Sequence, residues 1–397
     1  MRRIGPAGPF RLLWIAAALL FFAAAPLGPR ATASAPPPPR VVAAAAVLMD
    51  AGSGRILYEK EAHRQLYPAS ITKIMTALVA LEHASLDEIV TVPPEAARVE
   101  GSKMHLLPGE EYTLEELLYG LMLVSGNDAA VAIASHVAGS VFAFAELMNQ
   151  TARRLGARST HFTNPHGLPD PNHVTTAYDM ALITRAALRH PVFRTIVATR
   201  VKELPARPGR RARTLPSGNW MLGQGGIDGV KTGYTRAAQH TYVATAERDG
   251  RRLIAVVMRT APKAQKWRDA LQLLDYGFSA FIWQRIVAAG ELYTFLPVEG
   301  GAADGVYAVI NQDVFVPLAP GERAQVRLEA ALPESIAAPV AAGAVLGHLD
   351  VYVDVINPAG PAAHVDLVAA HDVAARSPSW WERLLLRIKG AAGRILP

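Results

Sequence analysis

Pro68-Ala69-Ser70-Ile71-Thr72-Lys73-Ile74-Met75-Thr76 is the stretch around which the rest of the sequence arranges itself. Pro68 and Ser70 suit a helix start, and Ile74, Ala77, Leu78 and Leu81 then recur at helical spacing. Residues three apart share a helix face, so the Lys73 amine can reach the Ser70 hydroxyl. A serine is a poor nucleophile until a base takes its proton. Lysine can be that base only if burial or a second cation pulls its pKa down. The pair therefore predicts a partly enclosed site with another positive group nearby. Alone, S-x-x-K recurs by chance, so the rest of the chain must decide.

At 397 residues the chain is long enough for two domains with separate cores. Arg2, Arg3 and Arg11 precede an apolar run at 12–25, and Ala31-Thr32-Ala33 follows, the layout of a signal peptide cleaved after Ala33. A membrane span would need about 20 apolar residues, and this run is shorter and broken by Pro26. There is no cysteine, so an exported chain of this kind must be stabilised by packing alone. Arg2, Arg3, Arg11 and Arg30 account for four of the formal +6, and 377–397 carries four basic residues against Glu382. The body between is close to neutral, which excludes a nucleic-acid binder. Arg207, Arg210, Arg211 and Arg213 crowd into one Pro/Gly-containing loop, read here as a solvated turn.

Pro36 to Pro39 form a stiff linker. Residues 41–49 and 55–58 read as strands joined by the turn Asp50-Ala51-Gly52-Ser53-Gly54. Helices follow: one with a capping box at Thr113 and Glu116, then 129–137, 142–155 and 176–188, with a turn-rich loop at 164–172. Strands return at 225–231, 241–246 and 253–258, and a helix at 267–281 closes this part. Such an order implies a mixed domain whose sheet is built from both ends of the segment. From 286 to 373 short Val-rich segments alternate with Gly and Pro turns, the pattern of a small all-β domain. Beyond it, Trp381, Leu384, Leu385, Ile388, Ala392 and Ile395 share one helical face, with Arg383, Arg387, Lys389 and Arg394 around the rest. That pattern suits a helix lying in a membrane interface; packing on the protein's own body is the alternative.

Two more motifs join the first: Ser125-Gly126-Asn127 and Lys231-Thr232-Gly233. Ser125 can relay a proton to a leaving amine, and Asn127 can hold Lys73 and a substrate amide at once. Lys231 can lower the Lys73 pKa and attract a carboxylate, and Gly233 lets an extended peptide approach the strand edge. Each motif is weak and the ordered triple is strong.

The chain resembles the D-alanyl-D-alanine carboxypeptidases, low-molecular-mass penicillin-binding proteins of the penicillin-binding protein 5 type. The resemblance rests on these motifs, on Val124-Ser125-Gly126-Asn127-Asp128-Ala129-Ala130, on Asn164-Pro165-His166-Gly167-Leu168 and on Asp228-Gly229-Val230-Lys231-Thr232-Gly233-Tyr234-Thr235. It also takes in Leu273-Leu274-Asp275-Tyr276-Gly277-Phe278 and Gly347-His348-Leu349-Asp350-Val351. It implies an α+β fold, a serine β-lactamase/D,D-peptidase-like domain with an antiparallel sheet and a helical region, then a small all-β domain and a C-terminal amphipathic helix. The expected divisions are a signal peptide at 1–33, a linker at 34–40, the catalytic domain at 41–284, the β domain at 285–375 and the anchoring helix at 376–397.

By position, the resemblance makes Ser70 the acylated nucleophile, Lys73 its base and Ser125 the proton relay. Asn127, Lys231, Thr232 and Gly233 would bind substrate, and the N–H groups of Ser70 and Tyr234 would form the oxyanion hole. Family members often carry an arginine for the substrate carboxylate thirty-five positions after the K-T-G lysine; here that position is Lys266, with Arg268 two residues on. Tyr234 stands where some members have histidine. The implied activity is removal of the terminal D-alanine from peptidoglycan stem pentapeptides, with β-lactams as covalent inhibitors, no cofactor and no metal. The implied place is the outer face of the cytoplasmic membrane. His161, His166 and His173 are read as structural, and Glu146 is not credited as the deacylating base a β-lactamase needs.

Overall fold

The computed structural model describes residues 36–356, 360–377, 380 and 381. The signal peptide expected at 1–33 and nearly all of the helix expected at 376–397 lie outside the described residues.

The chain enters through strand β1 (Ala45–Asp50), turns, and returns as β2 (Ile56–Lys60). The turn is held by Asp50, whose carboxylate accepts from the Ser53 N–H at 2.7 Å and hydroxyl at 2.6 Å. A 3-10 turn at Ala69–Thr72 then leads into α1 (Lys73–His83). The expected helix start is thus split. Ala69 has φ +53, so the chain bends there and Ser70 sits in the tighter turn ahead of the α-helix proper. Strand β3 (Ile89–Thr91), α2 (Pro94–Arg98) and β4 (Glu111–Thr113) follow. Next come α3 (Leu114–Met122), α4 (Asn127–Ala138), α5 (Val141–Arg154) and α6 (Ala177–Ala187). The capping box of α3 forms between Thr113 and Glu116.

Helix α7 (Pro191–Ala198) and the hairpin of β5 (Val201–Leu204) and β6 (Arg213–Pro216) were not foreseen, being short and without a long apolar period. Then β7 (Ile227–Thr235), β8 (Gln239–Arg248) and β9 (Arg251–Thr260) form a meander, and α8 (Gln265–Ala280) closes the segment.

These strands make one antiparallel sheet in the order β2-β1-β9-β8-β7, so the first strand in sequence pairs with the last of them. Both faces are covered. Ala45, Val47, Met49, Ile254 and Val256 point into the helical region, while Ala46, Leu48, Leu253, Ala255 and Val257 pack on Ala270, Leu273 and Leu274 of α8. This is why β1 and β9 read as unbroken apolar runs rather than alternating ones.

The remainder is all strand: β10 (Ile282–Val287), β11 (Leu292–Glu299), β12 (Gly305–Ile310), β13 (Val314–Leu318), β14 (Val326–Ala331), β15 (Ile336–Ala337), β16 (Val345–Val353) and β17 (Ala363–Ala369). A six-stranded sheet, β14-β16-β17-β12-β11-β15, and the pair β10-β13 enclose a separate core of valines and leucines. Strand β10 straddles residues 284 and 285, the expected division. Three contacts tie this region to the β1–β2 turn. Arg55 donates to the Pro317 carbonyl and pairs with Glu322, and the Trp283 indole donates to Asp50 at 3.3 Å.

Candidate active site

Ser70 is held between two strands' worth of packing. Thr241 on β8 donates its hydroxyl to the Pro68 carbonyl at 2.9 Å, fixing the entry to the 3-10 turn. On β7, a Cβ added to Gly233 would lie 2.9 Å from the Ser70 nitrogen and 3.1 Å from the Ala69 Cβ. The glycine therefore lets the enzyme's own serine turn approach the strand, a tighter demand than room for a passing peptide. On the other side Gly167, at φ +86, lies so close to the Ala69 carbonyl that a side chain would collide with backbone.

Lys73 has no exposed surface. Its Nζ donates to Asn127 Oδ1 and to the His166 carbonyl, each at 2.7 Å, and lies 3.3 Å from Ser70 Oγ. Burial, and next the charge of Lys231, hold its amine well below the usual lysine range, against an opposite pull from Asp128. Lys231, on β7, is itself pulled down to about 7 by burial and by Lys266, and Lys266 to about 8 by burial and by Lys263. Lys266 and Lys231 thus lead inward towards Lys73, each depressed by burial and by the next charge. Desolvation and like charge are the two influences the S-x-x-K pair requires on its lysine.

Asn127 opens α4, and both ends of its amide are engaged. Oδ1 accepts a hydrogen bond from Lys73, and Nδ2 donates to the Glu100 carbonyl at 2.6 Å. Only one amide hydrogen is left for a substrate, a narrower role than the sequence suggests. Ser125 sits between α3 and α4 at φ +60, and its Oγ is buried without a hydrogen-bond partner among the described residues. A buried hydroxyl with no partner is unusual and calls for a reason, and Ser125 lines the cavity in front of Ser70.

The 164–172 loop is more than a rim. Besides the His166 carbonyl on Lys73, its Pro165 carbonyl accepts from Thr76 of α1 at 2.6 Å. The His166 ring is held neutral, pulled to about 3 by burial and by Lys73, and its Nδ1 accepts from the Leu168 N–H at 3.2 Å. His173 is buried and accepts the Thr163 N–H on Nδ1 at 3.0 Å. Its Nε2 therefore carries the hydrogen and donates to Thr72 at 2.9 Å. These bonds brace the serine turn from behind. A backbone carbonyl has no signature in sequence, so the part His166 plays could not be read there.

The cavity in front of Ser70 measures about 730 Å³ and is lined by Ser125, Thr232, Gly233, Tyr234, Lys266 and Trp220, among others. Among the described residues, no carboxylate lines it. Trp220, 79% exposed on its rim, was not singled out in the sequence. Arg268 is exposed and absent from the lining, whereas Lys266 is buried over the Trp267 ring. Tyr234 stacks on His240 with ring centres 4.6 Å apart. Glu146 is exposed on α5, outside the cavity lining.

One expectation is overturned. Arg210 and Arg213 are not solvated: both are buried. Arg210 grips Glu116 through two bonds, at 2.5 and 3.1 Å. Arg213 pairs with Glu110 at 2.6 Å and donates to the Met104 and His105 carbonyls. Both guanidinium groups lie against the ring of Tyr112. They clamp the β5–β6 hairpin to the start of α3.

Fold and geometry define a serine-enzyme class in which a buried lysine, not a histidine, stands 3.3 Å from the serine hydroxyl. The D-alanyl-D-alanine carboxypeptidase profile matches residues 31–261, and that of the penicillin-binding protein 5 C-terminal domain matches 281–375. The D-alanyl-D-alanine carboxypeptidase DacF of Bacillus subtilis is 31% identical over 309 residues, 76% of this chain and 79% of its own. Penicillin-binding protein 5 from Haemophilus influenzae superposes with a TM-score of 0.62 at 31% identity, over 85% of this chain and 99% of the other. The D,D-transpeptidase of Streptomyces K15 does so at 0.58 and 32% identity, over 61% and 99%. The chain belongs to the D-alanyl-D-alanine carboxypeptidase family.

Proposed function

We propose the following division of labour in a serine-type, penicillin-binding D-Ala-D-Ala carboxypeptidase. Ser70 Oγ attacks the carbonyl carbon of the penultimate D-alanine while Lys73 takes its proton. The N–H groups of Ser70 and Tyr234 hold the resulting oxyanion. Ser125 hands the proton held by Lys73 on to the amine of the departing D-alanine, which frees the lysine and leaves the stem peptide esterified to Ser70. Lys73 then takes a proton from the water that attacks the ester and returns it to Ser70 Oγ as the acyl group leaves. Lys231, Thr232 and Lys266 receive the terminal carboxylate, and Asn127 positions Lys73 and the scissile amide. Lys266 is preferred over Arg268 because it alone lines the cavity.

The observation that carries this reading is the fully buried Lys73 amine, 3.3 Å from Ser70 Oγ and beside a second lysine. Reaction with a labelled penicillin followed by peptide mapping tests it. The label is expected on Ser70 and is expected to vanish in Lys73→Ala. A label elsewhere refutes the assignment. With no carboxylate in the cavity lining among the described residues, the penicilloyl adduct is expected to be long-lived, unlike that of a β-lactamase.

The likeness to a D,D-transpeptidase supports a second fate for the acyl-enzyme, transfer to an amine in place of water. The basic, Trp-led segment at 376–397 supports attachment to the outer face of the cytoplasmic membrane. Trp380 and Trp381 are helical and exposed there, and an export signal at 1–33 would deliver the chain to that side.

A further inference from the structure

Strand β14, Val326-Arg327-Leu328-Glu329-Ala330-Ala331, ends the six-stranded sheet and is exposed at every residue. Among the described residues it pairs with β16 alone. Its register places Val326, Leu328 and Ala330 opposite Val353, Val351 and Leu349, all buried in the β-domain core. The three residues therefore lie on the core face of the sheet, yet Val326 is 42% and Leu328 39% exposed. The core face simply runs out at this edge.

The backbone of the same residues is open too. The Asp354 N–H donates to the Gln325 carbonyl, so Gln325, Arg327, Glu329 and Ala331 turn their amides towards β16. Antiparallel pairing alternates, so Val326, Leu328 and Ala330 turn theirs outwards. Proteins usually blunt such an edge with proline, lysine or a bulge. This strand has none of these. It has one arginine and one glutamate, two residues apart on the polar face.

We propose that β14 is a homodimerisation edge, pairing antiparallel with β14 of a second copy about a two-fold axis at Leu328. Three symmetric registers suit the outward amides, centred on residues 327, 328 or 329. Centring on Arg327 sets arginine against arginine, and centring on Glu329 sets glutamate against glutamate. Centring on Leu328 sets each Arg327 opposite the other copy's Glu329, twice. It also sets Leu328 against Leu328 and Val326 against Ala330, extending the apolar face across the junction. The strand's charge order thus admits one self-pairing and penalises its neighbours. Arg327, which lies over Tyr352 and already pairs with Glu329 of its own strand, needs only to share that carboxylate across the axis. Six residues a side bury little area, so the dimer is weak in solution and strengthened where copies are concentrated on one surface.

The chain has no cysteine, so Leu328→Cys introduces its only thiol. Facing Cα atoms in a hydrogen-bonded antiparallel pair are about 5.5 Å apart, within disulfide range. The purified full chain in mild detergent is expected to sediment as a concentration-dependent dimer, and Leu328→Cys to form a covalent dimer on mild oxidation. Arg327→Glu is expected to raise the dimer Kd about tenfold, or ~1.4 kcal/mol, and Arg327→Glu with Glu329→Arg to restore it. Penicillin labelling of all variants stays at the parent level, showing that they are folded. A monomer up to hundreds of micromolar, an unlinked Leu328→Cys, or a dimer indifferent to Arg327→Glu overturns the proposal.

Discussion

Lys231 joins two demands that pull against each other. Its charge adds to burial in lowering the Lys73 pKa, yet the ammonium must sit out of water to do so, and burial with Lys266 beside it lowers its own pKa to about 7. An unfolded lysine titrates near 10.5. Below about pH 7 both states are protonated and the native state carries the whole penalty of a buried charge. Between pH 7 and 10.5 the unfolded chain binds the extra proton, so stability rises with pH through that window. Lys231→Met is therefore expected to be more stable than the parent at pH 6, by a few kcal/mol, and to lose most of that advantage by pH 10. Chemical denaturation of both proteins at the two pH values measures it; an equal gain at both would show that the charge is not the cause. The same variant is expected to lose carboxypeptidase activity, because the residue that costs stability is the one that readies the base.

At the scale of elements, the site is a junction of four segments: the 3-10 turn ahead of α1, the α3–α4 connection, the 164–172 loop and β7. The motifs on three of them were legible because their key geometry is local. Ser70 and Lys73 meet across one turn, Asn127 heads a helix, and Lys231 to Gly233 occupy one strand. What stayed hidden was non-local or in the backbone. The pairs Arg210–Glu116 and Arg213–Glu110 join residues about a hundred positions apart, and nothing in a cluster of four arginines says which two will be buried. Arg213 also holds the carbonyls of Met104 and His105, and Asp128 accepts the Met104 and Leu106 N–H groups beside them. Arg213→Ala would strand Glu110 in the interior and release that segment. A loss of about 3 kcal/mol is expected, with slower penicillin acylation below the unfolding temperature, because the same segment reaches Asn127 through the Ser102 carbonyl. Unchanged stability in a denaturant titration would mean that Glu110 finds another partner.

On the scale of the whole molecule, the β1–β2 turn is where everything meets. Arg185 of α6 donates to the Ala51 and Gly52 carbonyls from one side, while Arg55 and Trp283 tie the turn to the β domain from the other. The sequence announced the turn itself, through Asp50, Gly52 and Gly54, but not its three clients, which come from remote segments. Arg55→Ala removes the contacts to Pro317 and Glu322 while leaving the catalytic core untouched. Protease cleavage near residue 281 is expected to accelerate several-fold, with penicillin acylation of Ser70 preserved. Cleavage at the parent rate would mean that Trp283 alone suffices.

That clasp has a consequence for reach. A hinge at residue 281 would let the catalytic domain sweep a volume of wall, but a turn gripped from both sides makes the β domain a strut. With the end of the strut resting on a lipid surface, Ser70 would work at one altitude. The stem peptides it trims would then be chosen by their height above the membrane as well as by their chemistry, and the length of the β domain would set that height.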